Sequence, residues 1–177
     1  MKKIKFVITL LLVGSIGLTA SAQSKKDQKI IEDAKAAVAT LTKENPDLKN
    51  FFNKSAGAAV FPNVGKGGFI VGGASGNGVL YENGKIVGMT SLKELTVGFQ
   101  AGGEAITEVV FFETQADVDK FKEENFEFGA GVSATALKSG ASLNKEFSDG
   151  VAVFTYTKGG LMGDVSVGGQ KFKYDPF

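Results

Sequence analysis

The spacing of apolar residues changes from a helical to a strand-like period along this chain. Between Ser24 and Glu44 the apolar residues recur at intervals of three and four, which predicts an amphipathic helix. The stripe consists of Ile30, Ile31, Ala34, Ala37, Val38 and Leu41. Asn45-Pro46 ends this helix, because the residue before a proline disfavours the helical region, and a short second helix is expected over 46–53.

From Ala56 onward the apolar period is two, which predicts a series of short strands. Asn83-Gly84 predicts a two-residue hairpin turn, since both residue types tolerate positive φ. A loop is expected over 61–68 and a turn over 76–78, because both segments are rich in glycine.

One short helix is expected to interrupt the strands. Thr114 and Asp117 have the spacing of a capping box, and Val118 with Phe121 gives the following turn an apolar side. The predicted fold class is therefore α+β, with an N-terminal amphipathic helix, a curved and partly closed antiparallel β-sheet and one short inserted helix.

The first 22 residues have the three parts of a secretory signal peptide. A basic start precedes an apolar run from Phe6 to Leu18, and Ala20-Ser21-Ala22 supplies a small-x-small cleavage site. The sequence therefore predicts a signal peptide over 1–22, a single domain over 23–177, and export to the periplasm or the cell exterior, with possible membrane association.

Composition excludes many chemistries. The 177 residues contain no His and no Cys, which removes imidazole and thiolate nucleophiles, bases and metal ligands. After removal of 1–22, 17 lysines would face 19 acidic residues, a balance that argues against nucleic acid as a partner. The glycine clusters do not match a phosphate-binding loop. We therefore expect no enzymatic activity, no cofactor and no metal.

The N-terminal stripe is the first candidate lipid-binding element. Its apolar members Ile30, Ile31, Val38 and Leu41 are flanked by Lys26 and Lys35, a pattern typical of a helix lying at a membrane interface. The same pattern is expected of a helix that packs on the sheet, and the sequence leaves both possibilities open.

Two further lysines form a second candidate site. Lys66 and Lys158 each stand among glycines that would let backbone amides approach an anionic headgroup. The two could share one ligand if their loops meet at one rim of the sheet. The alternative is that both are solvated turn lysines.

Six segments, in order, resemble the SYLF domain family across nearly the whole chain after residue 22. They are 58–62 followed by 65–73, then 76–80, 97–103, 108–112, 128–134 and 156–169, including Gly65-Lys66-Gly67-Gly68 and Lys158-Gly159-Gly160-Leu161. The resemblance implies lipid binding without enzymatic activity, through the N-terminal amphipathic stretch and its lysines, here Lys25, Lys26, Lys29 and Lys35. Met162 stands where the family often has Phe, and the chain has no Arg for bidentate phosphate contacts.

The function predicted from the sequence is therefore a non-enzymatic lipid- or membrane-binding protein of the bacterial cell envelope, with a phospholipid or membrane surface as partner. Two alternatives remain open: a soluble carrier enclosing an apolar ligand in its sheet, and a structural envelope protein.

Overall fold

A computed structural model describes residues 25–67, 71–97, 104–124, 126–128, 132–137, 146–157, 165–166 and 169–177. The predicted signal peptide over 1–22 lies outside these residues. The described helices are α1 over 25–44, α2 over Leu48–Lys54 and α3 over Gln115–Lys122. The strands are β1 Gly57–Gly67, β2 Val71–Glu82, β3 Lys85–Val97, β4 Glu104–Phe112, β5 Ser133–Ala136, β6 Val151–Tyr156, β7 Val165–Ser166 and β8 Lys171–Pro176.

All eight strands belong to one sheet, in the order β7-β5-β6-β4-β1-β2-β3-β8. Neighbours pair antiparallel except β5 and β6, which are parallel, so the predicted α+β class is confirmed and the sheet is mixed. The parallel pair arises because the chain crosses from one edge of the sheet to the other between β4 and β5. It first meets β8, where Phe172 N donates to Phe126 O at 2.9 Å, and only then reaches β6.

This crossing shows that the sheet is curled. In a flat sheet, Phe128 beside β8 and Ser133 in β5 would lie about 34 Å apart, at about 4.8 Å per strand. Five residues of extended chain reach only about 18 Å. The two edges therefore approach each other, although in the described part of the chain no ladder joins β7 to β8.

Helices α1 and α2 cover one face of the sheet, which we call the α1 face. Its buried cluster includes Val60, Val109, Phe111 and Phe154 from the strands, together with helix residues such as Leu41. Two half-buried rings of α2, Phe51 and Phe52, contact Phe111 at centroid distances of 5.4 and 4.7 Å. The sheet thus has an aromatic and aliphatic surface on which both helices pack.

The opposite face, which we call the α3 face, carries the second buried cluster. Phe112 packs against Phe121 of α3 at 4.7 Å between ring centroids, and Phe172 of β8 packs against Phe128 at 4.8 Å. Phe61 of β1 contacts Phe172 at 5.7 Å. The chain has no cysteine and so no disulfide bond to stabilise it. Contacts among these rings therefore supply much of the stabilisation of the fold.

The predicted hairpin turn and the predicted capping box are confirmed. Asn83 and Gly84 both have positive φ, 49° and 73°, in the turn between β2 and β3. At α3 the Thr114 side chain accepts from Asp117 N at 3.3 Å, and Thr114 N donates to Asp117 Oδ2 at 3.1 Å. The predicted second helix is also present as α2.

Two glycine-based expectations are wrong. The segment 61–67 continues β1 through a bulge instead of forming a loop, and 76–78 lies within the β1–β2 ladder instead of forming a turn. At Gly78 a Cβ would overlap the carbonyl oxygen of Val60 on β1. The close approach of the neighbouring backbone therefore requires a glycine at this position. In the sequence, such a glycine looks the same as a glycine required by a turn.

Candidate lipid-binding surface

The apolar stripe of α1 faces the sheet. Ala34 is fully buried and Leu41 is 2% exposed, and both belong to the cluster on the α1 face. Ile30, Ile31 and Val38 are half-buried against the same cluster. Entry of these residues into a lipid surface stays a prediction, and it requires α1 to leave the sheet.

The opposite side of α1 is basic. All five lysines of the helix are exposed, whereas of its four acidic residues only Glu32 is exposed and the other three are half-buried. The exposed lysines are Lys25, Lys26, Lys29, Lys35 and Lys43. Lys29 forms an ion pair with Asp33 at 3.4 Å. The other four exposed lysines outnumber the one exposed acid, so the outward surface of the helix is predominantly positive. The lysines that led to the prediction of lipid binding are therefore exposed to solvent, on the side of α1 that faces away from the sheet.

A hydrogen bond attaches the C-terminal end of α1 to the sheet. The Tyr156 hydroxyl of β6 donates to Glu44 Oε2 at 2.6 Å. The bond to the Glu44 carboxylate, reinforced by partial burial, raises the pKa of the Tyr156 phenol above its usual value. The helix ends just beyond, where Asn45 N donates to Leu41 O at 2.8 Å and Pro46 follows.

Only Lys66 of the second pair of predicted site residues lies within the described part of the chain. Lys66 lies within β1, opposite Ala74 of β2 and Glu104 of β4, and not in a turn. Lys158 lies outside the described residues, so the shared headgroup site stays a prediction. The turn assignment for Lys66 fails because β1 extends to Gly67.

Comparison with known proteins places the chain in a family. A family model named Ysc84, described as Las17-binding protein actin regulator, matches residues 93–176. Beta cell expansion factor A of Aeromonas veronii is 31% identical over 144 residues, which is 80% of this chain and 54% of that protein. The chain belongs to the SYLF domain family. It spans about half the length of the curated relative it matches.

The SYLF family is generally non-enzymatic. Across the described part of the chain, no cluster of three or more acidic residues has the arrangement of a metal site. None of the described helices combines the length and apolar character that a membrane-spanning helix needs.

A buried polar cluster in this SYLF domain was missed by the sequence reasoning. On the α3 face, the Gln170 amide nitrogen donates to Glu94 Oε2 at 3.1 Å and to Glu108 Oε2 at 3.3 Å. Gln170 and Glu108 are fully buried and Glu94 is 6% exposed. One neutral side chain thereby supplies both of its N–H donors to two carboxylates and ties the start of β8 to β3 and β4.

One signal for this cluster was present in the sequence. Glu108 occupies the same alternation phase as Ile106, Val110 and Phe112, so it interrupts a row of apolar residues on the α3 face. An acid in that phase predicts a buried carboxylate that needs donors. The identity of the donor, 62 residues away at Gln170, depends on strand order and is not visible in the local pattern.

Proposed function

We propose that this SYLF domain is a non-enzymatic, exported protein of the cell envelope that binds anionic membrane surfaces through the lysine face of α1. The observation that carries the proposal is the orientation of α1, whose stripe packs on the sheet and whose five lysines point to solvent. A helix that is already ordered loses little further conformational freedom when a membrane meets its charged side.

The charges of α1 give the expected strength of this contact. A lysine near an anionic leaflet contributes about 1 kcal/mol, and the attraction weakens as salt is added. Exposed Glu32 opposes it, and Asp33 holds Lys29 in an ion pair. The other four lysines of α1 form no ion pair within the described part of the chain, and of these Lys26 and Lys35 flank the apolar stripe, so we choose them for neutralisation.

Vesicle flotation tests the proposal. The double variant Lys26→Gln/Lys35→Gln should bind phosphatidylglycerol vesicles about 30-fold more weakly, at about 1 kcal/mol per lysine. The matched control is Lys49→Gln/Lys85→Gln, which changes the net charge equally at exposed positions outside α1. Equal binding by the two double variants would contradict membrane binding through the lysines of α1.

A second pair of variants tests whether α1 stays on the sheet. Ile31→Ser and Val38→Ser should lower the thermal stability, because both side chains pack on the α1 face, yet should change vesicle affinity little while the protein is folded. If these variants lose binding and Lys26→Gln/Lys35→Gln keeps it, then the stripe enters the lipid, and the proposal that α1 binds while packed on the sheet is wrong.

The packing of the α3 face supports surface attachment over internal carriage of a ligand. The described α3 face is filled by phenylalanine rings in mutual contact, such as Phe112 with Phe121 and Phe126 with Phe128.

The predicted signal peptide supports an envelope location. Intact-mass measurement on the envelope fraction tests that part, and a chain retaining Met1 to Ala22 would contradict cleavage.

A further inference from the structure

The dipeptide Asn-Gly occurs twice in this chain, at Asn77-Gly78 and at Asn83-Gly84. Asparagine loses its side-chain amide readily in this dipeptide, because the following glycine has no side chain to shield its backbone nitrogen. Both copies lie within β2 and the turn that follows it, but in different backbone settings. The fold therefore exposes two identical dipeptides to different constraints.

The loss of the amide joins two atoms of neighbouring residues. The glycine backbone nitrogen, after losing its proton to hydroxide, forms a bond to the side-chain carbonyl carbon of the asparagine. The bond from that carbon to the side-chain nitrogen breaks, and the nitrogen takes a proton from water and leaves as ammonia. Water then opens the succinimide ring at either carbonyl, which gives aspartate or isoaspartate. The rate depends on how easily the two reacting atoms come into contact.

Asn83-Gly84 forms the whole of the turn between β2 and β3, beyond the closing pair Glu82 and Lys85. Asn83 and Gly84 are both exposed, and the Asn83 side chain has no hydrogen-bond partner in the described part of the chain. The space beside Gly84 is open, since a Cβ there would meet no atom within 4 Å. Rotation that brings the Asn83 side chain onto the Gly84 nitrogen therefore disturbs only the last pair of the hairpin.

Asn77-Gly78 lies in the interior of the sheet. Asn77 is paired on both sides, with β1 and with β3, and Gly78 is opposite Thr90. Gly78 is buried, and a Cβ on it would overlap the carbonyl oxygen of Val60. The Asn77 side chain is itself exposed, so exposure alone does not distinguish the two asparagines. Reaction at Asn77 requires β2 to separate locally from its neighbouring strands, which costs free energy that the turn does not require.

We propose that Asn83 is a site of spontaneous deamidation in the folded protein, and that the sheet protects Asn77 in the same dipeptide. The reactants are the two residues, hydroxide and water. This chemistry is independent of the function proposed above, because it needs neither a membrane nor α1.

The products alter the end of the hairpin that contacts α3. Glu82 accepts from Gln115 Nε2 at 2.9 Å and from Lys122 Nζ at 2.8 Å, and these bonds join the hairpin to α3. Either product places a new carboxylate beside Glu82, and isoaspartate also adds a methylene to the backbone of a two-residue turn. A turn that depends on positive φ at both residues does not keep its geometry with the longer backbone. Deamidation should therefore loosen the turn and its attachment to α3.

Mass spectrometry of the unaltered protein, incubated at mildly alkaline pH, tests the site. Cleavage after glutamate gives the peptide 83–94, which holds Asn83, and a separate peptide ending at Glu82, which holds Asn77. Asn83 should convert at least about tenfold faster than Asn77, the ratio for an extra opening cost of about 1.4 kcal/mol in the sheet. In urea the two rates should become similar, because both dipeptides are then unfolded. Fragmentation should find isoaspartate at position 83, which the succinimide route requires.

Two variants repeat the comparison on the intact protein. Asn83→Gly keeps a residue that the turn accepts and removes the reacting carbonyl, so the main acidic form should no longer accumulate on ion exchange. Asn77→Ser should age as the unaltered protein does. Equal conversion of Asn77 and Asn83 in the folded protein, or a preference for Asn83 that persists in urea, would overturn the inference. An Asn83 that reacts only in urea, or that gives aspartate without isoaspartate, would overturn it as well.

Discussion

Replacing Tyr156 by Phe removes the bond that attaches the end of α1 to the sheet while keeping the aromatic ring in place. The Tyr156 hydroxyl donates to Glu44 Oε2 at 2.6 Å, and the ring is packed against the cluster on the α1 face. A hydrogen bond to a charged acceptor contributes about 1.5–3 kcal/mol to stability. Both side chains are partly exposed, and solvent screening reduces this to about 1 kcal/mol.

The expected result is a local change in α1. Loss of about 1 kcal/mol raises the equilibrium for opening the helix about fivefold. Amide hydrogen exchange across residues 31–44 should therefore accelerate about fivefold in Tyr156→Phe. The control is Tyr174→Phe, which removes a hydroxyl bonded to Val87 O at 3.1 Å on the other side of the sheet and should leave α1 exchange unchanged. Identical α1 exchange in the two variants would refute the attachment.

The pH dependence gives a second test of the same bond. The folded-state pKa of Tyr156 is raised, so its contribution is fully present below the unfolded pKa of about 10 and is lost as pH rises through the folded value. The difference in unfolding free energy between the unaltered protein and Tyr156→Phe should shrink above pH about 10. A difference that stays constant through this range would show that the hydroxyl proton is not responsible.

The same variant distinguishes two modes of membrane binding. If α1 stays on the sheet, as we propose, Tyr156→Phe should bind vesicles as the unaltered protein does. If α1 must leave the sheet, weaker attachment lowers the free energy of that step, and vesicle affinity should increase about fivefold. An increase of that size would contradict the proposal that α1 binds the membrane while packed on the sheet.

Two further predictions concern stability and are measured by urea unfolding. Gln170→Leu removes both donors from two buried carboxylates and should lower the unfolding free energy by about 3 kcal/mol. Gln115→Leu removes a similar bridge, from the exposed Gln115 to half-buried Glu82 and exposed Asp119, and should cost under about 1 kcal/mol. Equal losses would contradict the importance of burial. Thr114→Ala removes the α3 cap and should lower stability by about 1 kcal/mol, and an unchanged midpoint would contradict it.

Features set by neighbouring residues were predictable from the sequence. The positive φ of Asn83 and Gly84 and the cap made by Thr114 and Asp117 depend on groups within three residues of each other. Gly78 shows why the same reasoning failed elsewhere. A tight turn and a close backbone approach both exclude a Cβ, and only the position of β1 decides between them.

Features set by strand order were beyond local patterns. Lys93 and Lys171 are opposite each other because β8 adds to the edge of β3, and nothing near either lysine specifies that pairing. The orientation of α1 is a similar case. A stripe of apolar residues flanked by lysines is compatible with a sheet or a membrane, and the sheet provides Val60, Val109 and Phe154 as its partner surface.

The distribution of charge explains how a chain with more acids than lysines after residue 22 can approach an anionic surface. Residues 113–124, around α3, hold five carboxylates and two lysines, whereas α1 on the opposite face of the sheet exposes five lysines. Lys93, Lys171 and Lys173 lie on the α1 face as well, because their neighbours Leu92 and Phe172 point into the core of the α3 face. Under the proposed function, a field divided in this way would turn the α1 face toward an anionic membrane and the α3 face away, so that orientation, and not net charge, would set which surface binds.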